Sequence, residues 1–324
     1  MNSYLITGGA GFIGSYFTKY VSENEKDAII VVLDKMTYAG DINRIKNLID
    51  DKKIEFIKGD INDFILIEMV IKKYKINRIV NFAAESHVDR SIESQKEFIE
   101  TNVMGVQTLL TASKKVWDEN EINDMLFTQI STDEVYGSSN KDDNYRLNEK
   151  DLLNPMNTYS ASKASAEHLI TSFANTFNYD INIIRSTNNY GMNQNPEKFI
   201  PNIITRIINN DNVLVYGDGK NKRCWLNVND NCRAIYEIIN NKKNEVYNIK
   251  GNLEITNIDL VKRIIKIFKE DFNIKYKSKI LFIEDRKGHD YFYRVNDEKI
   301  KKELGFEIKT SFDKEIRKII KNYL

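Results

Sequence analysis

The stretch QISTDEVYG, residues 129–137, places Thr132, Asp133 and Glu134 directly after an apolar run. Two adjacent acids at the end of a predicted strand are costly to bury, and they serve little purpose if they are merely solvated. Open parallel sheets bind ligands at the carboxyl ends of their strands, where this triplet is predicted to lie. We therefore interpret Asp133 and Glu134 as a catalytic acid and base. The alternative is that they cap the following turn or pair with a nearby cation.

A second pair of reactive side chains begins a predicted helix in TYSASKASAEHL, where Tyr159 and Lys163 are spaced i, i+4 and share one face. A phenol with a free pKa of about 10 is a poor base at neutral pH, but a neighbouring ammonium favours the phenolate. We expect Lys163 to lower the pKa of Tyr159 in this way. A solvated helical face is the alternative for a Tyr-x-x-x-Lys spacing considered alone.

A glycine-rich turn, LITGGAGFIGSYF, places Gly8, Gly9, Gly11 and Gly14 between a predicted first strand and first helix. Glycine permits a tight turn and a close approach of the backbone to a pyrophosphate, and the helix N-terminus offers unpaired N–H groups to phosphates. A second predicted strand ends at Asp34, 20 residues after Gly14. A carboxylate there can accept from both ribose hydroxyls, so the pattern predicts NAD rather than its 2′-phosphorylated relative.

The later strand ends extend this predicted cofactor site. Asp60 could hydrogen-bond the adenine amino group or cap the next helix, and FAA, residues 82–84, follows the fourth strand near the expected nicotinamide ribose. The positive nicotinamide ring would further favour the phenolate of Tyr159, while Lys163 could hold the ribose hydroxyls. The predicted cofactor-binding residues are Gly8, Gly11, Phe12, Ile13, Gly14, Asp34, Lys35, Thr37, Asp60, Ile61, Ala83, Ala84, Tyr159 and Lys163.

Apolar runs alternate with amphipathic stretches through the first half of the chain. Strands are predicted at 4–7, 28–33, 54–59, 78–84, 125–130 and 181–185, and helices at 12–23, 62–74, 97–117 and 159–177. Such alternation predicts an α/β fold, a Rossmann-type doubly wound parallel sheet covered on both faces.

After about residue 188 the pattern loosens into short elements, which indicates a second domain. We expect an NAD-binding domain over 1–187 and a second domain over 188–324, with segments of about 213–240 as candidates to return to the first. Helices are predicted at 198–209, 230–240, 257–269 and 312–322, and loops at 188–197 and 216–223. The polar segment 138–158 is predicted to be either disordered or an active-site cover.

Composition narrows the class of protein. Among 324 residues, 48 Lys and Arg balance 47 Asp and Glu, which argues against a nucleic-acid partner. The longest apolar run, AIIVVL, is too short to span a bilayer, and no signal-peptide pattern precedes the first strand. Two cysteines indicate a reducing compartment. We therefore expect a soluble cytoplasmic protein with neither a membrane nor a nucleic-acid partner and with no metal.

The glycine turn, the Ser/Thr strand end and the Tyr-Lys pair together resemble the extended short-chain dehydrogenase/reductase superfamily. Over nearly the whole chain the sequence is similar to nucleoside-diphosphate-glucose 4,6-dehydratases, especially the dTDP-glucose 4,6-dehydratase family. The resemblance is carried by TGGAGFIGS, LDKMTYAG, FAAESHVDRSI, TNVMGVQTLL, STDEVYG, YSASKASAEHL, NNYG, PEKFIP, YGDGKNKR and DRKGHD. It implies tightly bound NAD, a nucleotide-sugar substrate held by a smaller nucleotide-sugar-binding domain over 188–324, and a homodimer joined by helices 97–117 and 159–177. Rhamnose is the usual destination of such a pathway.

The resemblance also assigns roles. Tyr159 would oxidise the hydroxyl of sugar carbon 4 with Thr132 orienting it, Glu134 would remove the proton of carbon 5, and Asp133, kept protonated, would donate to the hydroxyl leaving carbon 6. The substrate-binding residues that it implies are Glu85, Ser86, Asn188, Asn189, Lys198, Tyr216, Arg223, Asn257, Arg286 and His289.

Some questions stay open at this point. The chain departs from the family pattern at Thr158, Met192 and Cys224. A pocket distinguishes one methyl group by only about 1–3 kcal/mol, so dTDP-glucose and UDP-glucose are both retained as substrates. A 4-epimerase or a uronate decarboxylase is the alternative within the superfamily, but neither accounts for the paired acids. A non-catalytic NAD-binding regulator would have little need of an intact Tyr159 and Lys163.

Overall fold

A seven-stranded parallel sheet is the central element of the computed structural model, which describes residues 1–87, 90–91, 94–120, 122–139, 144–277, 279–285 and 288–324. Its strands lie in the order β10-β6-β5-β4-β1-β2-β3, and every pairing is parallel. They are β1 Ser3–Thr7, β2 Ile29–Asp34, β3 Glu55–Lys58, β4 Arg78–Asn81, β5 Leu126–Thr132, β6 Ile181–Ser186 and β10 Glu245–Ile249. The strand order reverses between β1 and β4, which opens a crevice at their carboxyl ends.

Helices cover both faces of this sheet. They are α1 Phe12–Asn24, α3 Phe64–Tyr74, α5 Gly105–Asn120, α6 Thr158–Phe177 and α8 Val228–Asn241. One face buries side chains of α1 and α8, such as Phe17 and Ile235, and the other buries those of α3, α5 and α6, such as Ile67 and Ile170. Burial from both sides explains why the strands are continuous apolar runs, as in the wholly buried β1.

The remaining elements build a second, smaller unit. The strands β7 Asn188–Tyr190, β9 Lys222–Asn227 and β11 Leu253–Thr256 form one sheet, and β8 Val213–Tyr216 pairs with β12 Ile280–Ile283. The helices α7 Phe199–Ile208, α9 Asn257–Phe272 and α11 Phe312–Tyr323 pack around a separate apolar core that includes Ile204, Ile264 and Ile316. The short helices are α2 Lys46–Asp50, α4 Gln95–Ile99 and α10 Glu298–Leu304.

The predicted fold class is confirmed, with differences in detail. The predicted helix 97–117 is divided into α4, a π-helical turn over Glu100–Met104, and α5. The predicted strand 78–84 ends at Asn81, and the predicted loop 188–197 begins with β7.

Strand β10 was not predicted, and it extends the first sheet beside β6, while α8 packs on α1. Residues 228–249 therefore lie in the layers of the first sheet, whereas β8 pairs in the second unit. Within the described part of the polar segment, Leu147 forms a β-bridge with Val295. This contact holds the described part of the polar segment near residue 147 against the chain's last quarter. No helix among the described residues has both the length and the apolar character needed to cross a membrane.

Candidate active site

Three adjoining cavities, with volumes of about 280, 190 and 100 Å³, open at the carboxyl edge of the central sheet. We call them the central, outer and side cavities. The central and side cavities share Gly8, Gly11 and Ala84, whereas the central and outer cavities share Glu134 and Asn188, among other residues. One continuous groove thus connects the glycine turn with the acid pair and with the second unit.

Most of the predicted site residues line this groove. The central cavity contains Gly8, Gly11, Phe12, Ile13, Gly14, Ala84, Ser86, Thr132, Asp133, Glu134, Tyr159, Lys163, Asn188, Asn189 and Lys198. The side cavity adds Asp34, Lys35, Thr37, Asp60, Ile61, Ala83 and Glu85, and the outer cavity adds Arg223 and His289.

The glycine turn lets neighbouring segments of backbone pack closely against it. Gly8 has a φ of +65°, and a Cβ there would lie 2.6 Å from the backbone nitrogen of Ala83. A Cβ on Gly14 would collide with the carbonyl oxygen of Gly8, so both positions require glycine. By contrast, a Cβ on Gly11 would meet only that carbonyl oxygen, at 3.0 Å. Gly11 borders both the central and the side cavities, so its backbone is accessible to a ligand there.

The side cavity carries the acids predicted to contact an adenosine. The buried Asp34 carboxylate accepts from the backbone N–H groups of Ala10, at 3.0 Å, and Met36, at 2.8 Å. These two bonds fix its orientation while leaving lone pairs for ribose hydroxyls. Asp60 forms an ion pair with Lys35 at 2.7 Å.

Asp60 does not cap the next helix. It accepts from the backbone N–H of Asn62 at 2.9 Å, whereas the N-cap of α3 is Asp63. The helix-capping alternative for Asp60 is therefore wrong.

Tyr159 lies at the start of α6 beside the end of β5. Its hydroxyl shares a hydrogen bond with that of Thr132, and burial, followed by the charge of Glu134, raises its pKa. The expected lowering by Lys163 is wrong for the protein without its cofactor, because the Lys163 ammonium donates to the carbonyl of Ile130 at 2.5 Å. Burial lowers the pKa of Lys163 to about 8. A positive ring entering the cavity remains able to favour the phenolate.

Asp133 is fully buried, and its surroundings favour the protonated form. Burial and then the neighbouring charge of Glu134 raise its pKa well above the usual value, with Arg223 opposing them. Its Oδ1 accepts from the Thr132 hydroxyl at 3.3 Å, whereas Oδ2 has no hydrogen-bond partner among the described residues. An ionised oxygen without a partner would be costly at such a site. Asp133 is therefore suited to donate a proton.

Glu134 is partly buried and faces a more polar environment. Burial raises its pKa, Arg223 lowers it, and Asp290 raises it further. The hydroxyl of Tyr293 donates its single proton to Asp290 at 2.6 Å, and its oxygen lies 3.4 Å from the Glu134 carboxylate. A cation and a hydroxyl group thus lie near Glu134, so the adjacent acids have different surroundings, as an acid and a base require.

The substrate-binding residues implied by resemblance do not all line one cavity. Arg223 and His289 line the outer cavity, and Arg223 donates to the carbonyls of Asp290, at 3.1 Å, and Tyr291, at 3.3 Å. Glu85 lines the side cavity and not the central cavity that contains the acid pair, and its backbone N–H donates to the side chain of Asn102 at 2.9 Å.

Tyr216 and Asn257 are not among the described residues that line the three cavities. The ring of Tyr216 nevertheless lies 6.4 Å from that of His289, so Tyr216 is close to the outer cavity. Arg286 lies outside the described residues.

Among the groove residues that sequence reasoning missed are Asn157, Glu197, Asp290 and Tyr293. Asp290 completes the DRKGHD motif, and that position was the available signal for it. Tyr293 had no local signal, because its proximity to Glu134 depends on a contact between residues that lie 159 positions apart in the sequence. Within the described residues, no group of three or more His, Cys, Asp or Glu side chains could hold a metal.

The departures from the family pattern have local explanations. Thr158 is the first residue of α6, whose N-cap is Asn157, and that position needs no proline. The carbonyl of Met192 accepts from the hydroxyl of Tyr16 at 3.2 Å. Cys224 is buried and donates to the carbonyl of Gly251 at 3.1 Å, and burial raises the pKa of its thiol to about 12. The thiol is therefore neutral beside Arg223.

The sheet order and the groove define a dinucleotide-binding enzyme of the Rossmann type. A family model described as GDP-mannose 4,6 dehydratase matches residues 5–319, and the chain belongs to this family. A dTDP-glucose 4,6-dehydratase of Haemophilus influenzae is 37% identical over 100% of this chain and 98% of its own length. The low-salt glycan biosynthesis protein Agl12 of Haloferax volcanii is 40% identical over 99% and 98%.

The solved structures agree. The dTDP-glucose 4,6-dehydratase DesIV of Streptomyces venezuelae, solved with NAD bound, superimposes with a TM-score of 0.89 at 36% identity, covering 99% of this chain and 96% of that one. A dTDP-glucose 4,6-dehydratase of Bacillus anthracis in complex with NAD gives 0.88 at 38% identity, covering 100% and 96%. The resemblance predicted from the sequence motifs is thereby confirmed.

Proposed function

We propose that this chain is an NAD-dependent nucleoside-diphosphate-glucose 4,6-dehydratase that converts dTDP-glucose, or UDP-glucose, to the 4-keto-6-deoxy sugar nucleotide and water. The observation that carries the proposal is the Thr132-Asp133-Glu134 triplet, which shares one cavity with Tyr159 and the glycine turn. Relatives at 36–38% identity that are named as dTDP-glucose 4,6-dehydratases support the same activity.

The residues present fit NAD. The accessible backbone at Gly11 suits a pyrophosphate, and the carboxylate of Asp34, fixed by two backbone N–H groups, suits the ribose hydroxyls. Lys163 borders the central cavity, where it could hold the second ribose. When bound, NAD supplies the hydride acceptor for carbon 4 and the hydride donor for carbon 6.

The proton transfers belong to the chain's own side chains. Tyr159, hydrogen-bonded to Thr132, takes the proton of the carbon 4 hydroxyl as that carbon becomes a ketone. The ketone acidifies the hydrogen on carbon 5, which Glu134 removes as a proton. The hydroxyl leaving carbon 6 takes the proton of Asp133 and departs as water, and Glu134 returns its proton to carbon 5 as carbon 6 is reduced. The proton balance therefore requires Asp133 to be neutral, and Glu134 and Tyr159 to be ionised, at the start. The proton that Tyr159 gains then equals the one that Asp133 loses.

The outer cavity is the proposed site of the nucleoside diphosphate. Arg223 and Lys198 line it, and their positive charges suit phosphate oxygens. We assign Asn188, Asn189, Ser86 and, more distantly, Tyr216 and Asn257 to substrate binding on the resemblance. Glu85, Arg286 and His289 belong to this proposal on the same basis.

The oligomeric state and the cellular location are also proposals. A homodimer through α5 and α6 is supported by apolar side chains on and beside these helices, since Ile99, Met104 and Phe177 are 44–48% exposed. The cysteines are both free and buried, which is consistent with a cytoplasmic protein. The division into domains at residue 187, and rhamnose as the pathway's destination, stay proposals as well.

The deciding experiment incubates the purified protein separately with dTDP-glucose and UDP-glucose and follows product mass. Loss of one water without added reductant supports the proposal, and the faster substrate names the nucleoside. The Tyr159→Phe variant is the matched control, because it removes one hydroxyl and should stop the reaction. An unchanged mass together with a carbon 4 epimer detected by NMR would instead establish an epimerase, and loss of carbon dioxide from the UDP-glucuronate analogue would establish a decarboxylase.

A further inference from the structure

The segment between β7 and α7 crosses the groove. Gln194, Asn195 and Glu197 from this segment line the central cavity together with Gly11 of the glycine turn and Tyr38 of the loop after β2. We call residues 192–198 the strap. It belongs to the second unit of the chain, yet it borders the cavity where the dinucleotide is proposed to bind.

Arg44 is the main attachment at the start of the strap. One terminal nitrogen of its guanidinium donates to the carbonyls of Ala10, at 3.1 Å, and Ala39, at 2.8 Å. The other donates to the carbonyl of Asn193, at 3.0 Å, and to the side chain of Asn195, at 3.5 Å. One half-buried side chain therefore joins the glycine turn, the loop after β2 and the strap.

Other contacts hold the two ends of the strap. At its start the Tyr16 hydroxyl donates to the carbonyl of Met192 at 3.2 Å. At its end Glu197 lies 3.8 Å from Arg90, whose guanidinium stacks 3.5 Å from the centre of the Tyr38 ring. The strap is thus fastened to the first unit on both sides of the groove.

The charge of Arg44 has an unusual set of partners. The acceptors recorded for it among the described residues are three carbonyls and one amide, none of them a carboxylate. Burial lowers the pKa of Arg44, and the nearby charges of Asp41 and Asp34 raise it, so hydrogen bonds to the backbone rather than an ion pair at contact distance hold the side chain in place. Arginine can make these four bonds because its fork is planar and carries several donors, whereas lysine cannot.

We propose that Arg44 is a positioning residue that locks the strap over the dinucleotide and thereby slows NAD release between turnovers. This inference rests on the proposed function, in which the hydride is returned to the sugar within each turnover and release of the cofactor is not a step of the cycle. Arg44 touches no reacting atom in this scheme. Its role is to keep the cavity closed, so its loss should change cofactor exchange before it changes chemistry.

The test measures NAD exchange in the full-length protein. Wild type and Arg44→Ala are purified with their bound nucleotide and mixed with excess deuterated NAD. At successive times the protein is freed of unbound nucleotide by rapid desalting, and the nucleotide then released with acid is analysed by mass spectrometry. We expect exchange to be at least about tenfold faster in Arg44→Ala, since charged hydrogen bonds to the strap are lost. Arg44→Lys should lie between the two. Lys46→Ala, which removes a neighbouring exposed cation, should match wild type.

A second readout separates positioning from simple loss of structure. After dilution, Arg44→Ala should require added NAD for full activity, while its kcat at saturating NAD and its melting temperature stay near those of wild type. Exchange at the wild-type rate in a folded Arg44→Ala protein would overturn the proposal. If that variant does not fold, Tyr16→Phe tests the same strap and should also speed exchange. Wild-type protein that neither retains nor binds NAD would refute the proposed cofactor itself, which is a different result.

Discussion

Replacing Asp133 with Asn tests the assignment of the proton donor. The substitution preserves the size of the side chain and leaves an oxygen that can accept from the Thr132 hydroxyl, which now donates to Oδ1 at 3.3 Å. It removes the acidic proton that burial keeps on the carboxyl group, because an amide donates a hydrogen bond but does not transfer its proton. The expected loss is therefore confined to the step in which the hydroxyl leaves carbon 6.

The size of this loss follows from the role. General acid catalysis contributes about 10²–10⁴-fold, which corresponds to about 3–5 kcal/mol of activation free energy. We expect water loss to slow by at least about 100-fold in Asp133→Asn.

The assay measures two quantities on the same sample in D₂O: the loss of water by product mass and the entry of deuterium at carbon 5 by NMR. In Asp133→Asn, deuterium should enter carbon 5 faster than water is lost, because Glu134 still removes the proton of carbon 5 whereas the hydroxyl of carbon 6 leaves slowly. Asp290→Asn is the matched change on a different acid, one that lines the outer cavity. It should leave the ratio of deuterium entry to water loss as in wild type. Water loss within about threefold of wild type would refute the assignment of Asp133 as the acid.

Three further predictions follow from the surroundings of the site. Burial raises the pKa of Glu134 and Arg223 lowers it, so Arg223→Gln should move the acidic limb of the kcat/KM–pH profile, which reports the free enzyme, to higher pH, while Arg223→Lys should not. An unmoved limb in Arg223→Gln would contradict this. Burial lowers the pKa of Lys163 to about 8, so the free energy of unfolding of the cofactor-free protein in urea should rise between pH 8 and 10.5, by about 3 kcal/mol relative to Lys163→Met. Parallel plots of unfolding free energy against pH for the two proteins would contradict this. Glu167→Gln removes the carboxylate that forms an ion pair with the buried Arg185 at 2.6 Å, and it should lower the unfolding free energy by about 3–5 kcal/mol. A loss under about 1 kcal/mol would show that other groups compensate the charge of Arg185.

The sign of the Lys163 prediction follows from proton linkage. Its pKa in the folded state lies below the unfolded value of 10.5, so between about pH 8 and 10.5 the unfolded chain binds more protons than the folded one. Stability rises with pH wherever that is true. Below pH 8 both states carry the charge, and the folded state bears the full cost of burying it.

Much of the first sheet could be predicted because its signals are local. A strand buried on both faces is a short continuous apolar run, and β1 and β2 are such runs. The glycine turn is equally local, since steric conflict at Gly8 and Gly14 admits no other residue. Positions at strand ends, such as Thr132, then follow from the topology of a parallel sheet.

The remainder depends on contacts between distant parts of the chain. β10 is a short run, EVYNI, whose partner β6 lies about 60 residues earlier, so no local pattern assigns it to the first sheet. The pKa of Tyr159 was wrongly expected to fall because the position of Lys163 on the helix predicts a shared face, not the carbonyl of Ile130 that its ammonium contacts. Tyr293 reaches Glu134 across 159 positions of sequence.

The different environments of the two neighbouring acids suggest how substrate binding could activate the base. Arg223 favours the ionised form of Glu134, and its guanidinium is bonded to backbone carbonyls, including that of Asp290 at 3.1 Å. A diphosphate in the outer cavity would pair with Arg223 and neutralise much of its field. The pKa of Glu134 would then rise, which makes its carboxylate a stronger base towards carbon 5 only when the substrate is in place. The same loss of positive field would raise the pKa of Asp133 and hold its proton until the hydroxyl leaves. One arginine thereby links recognition of the nucleotide to the protonation states that dehydration requires.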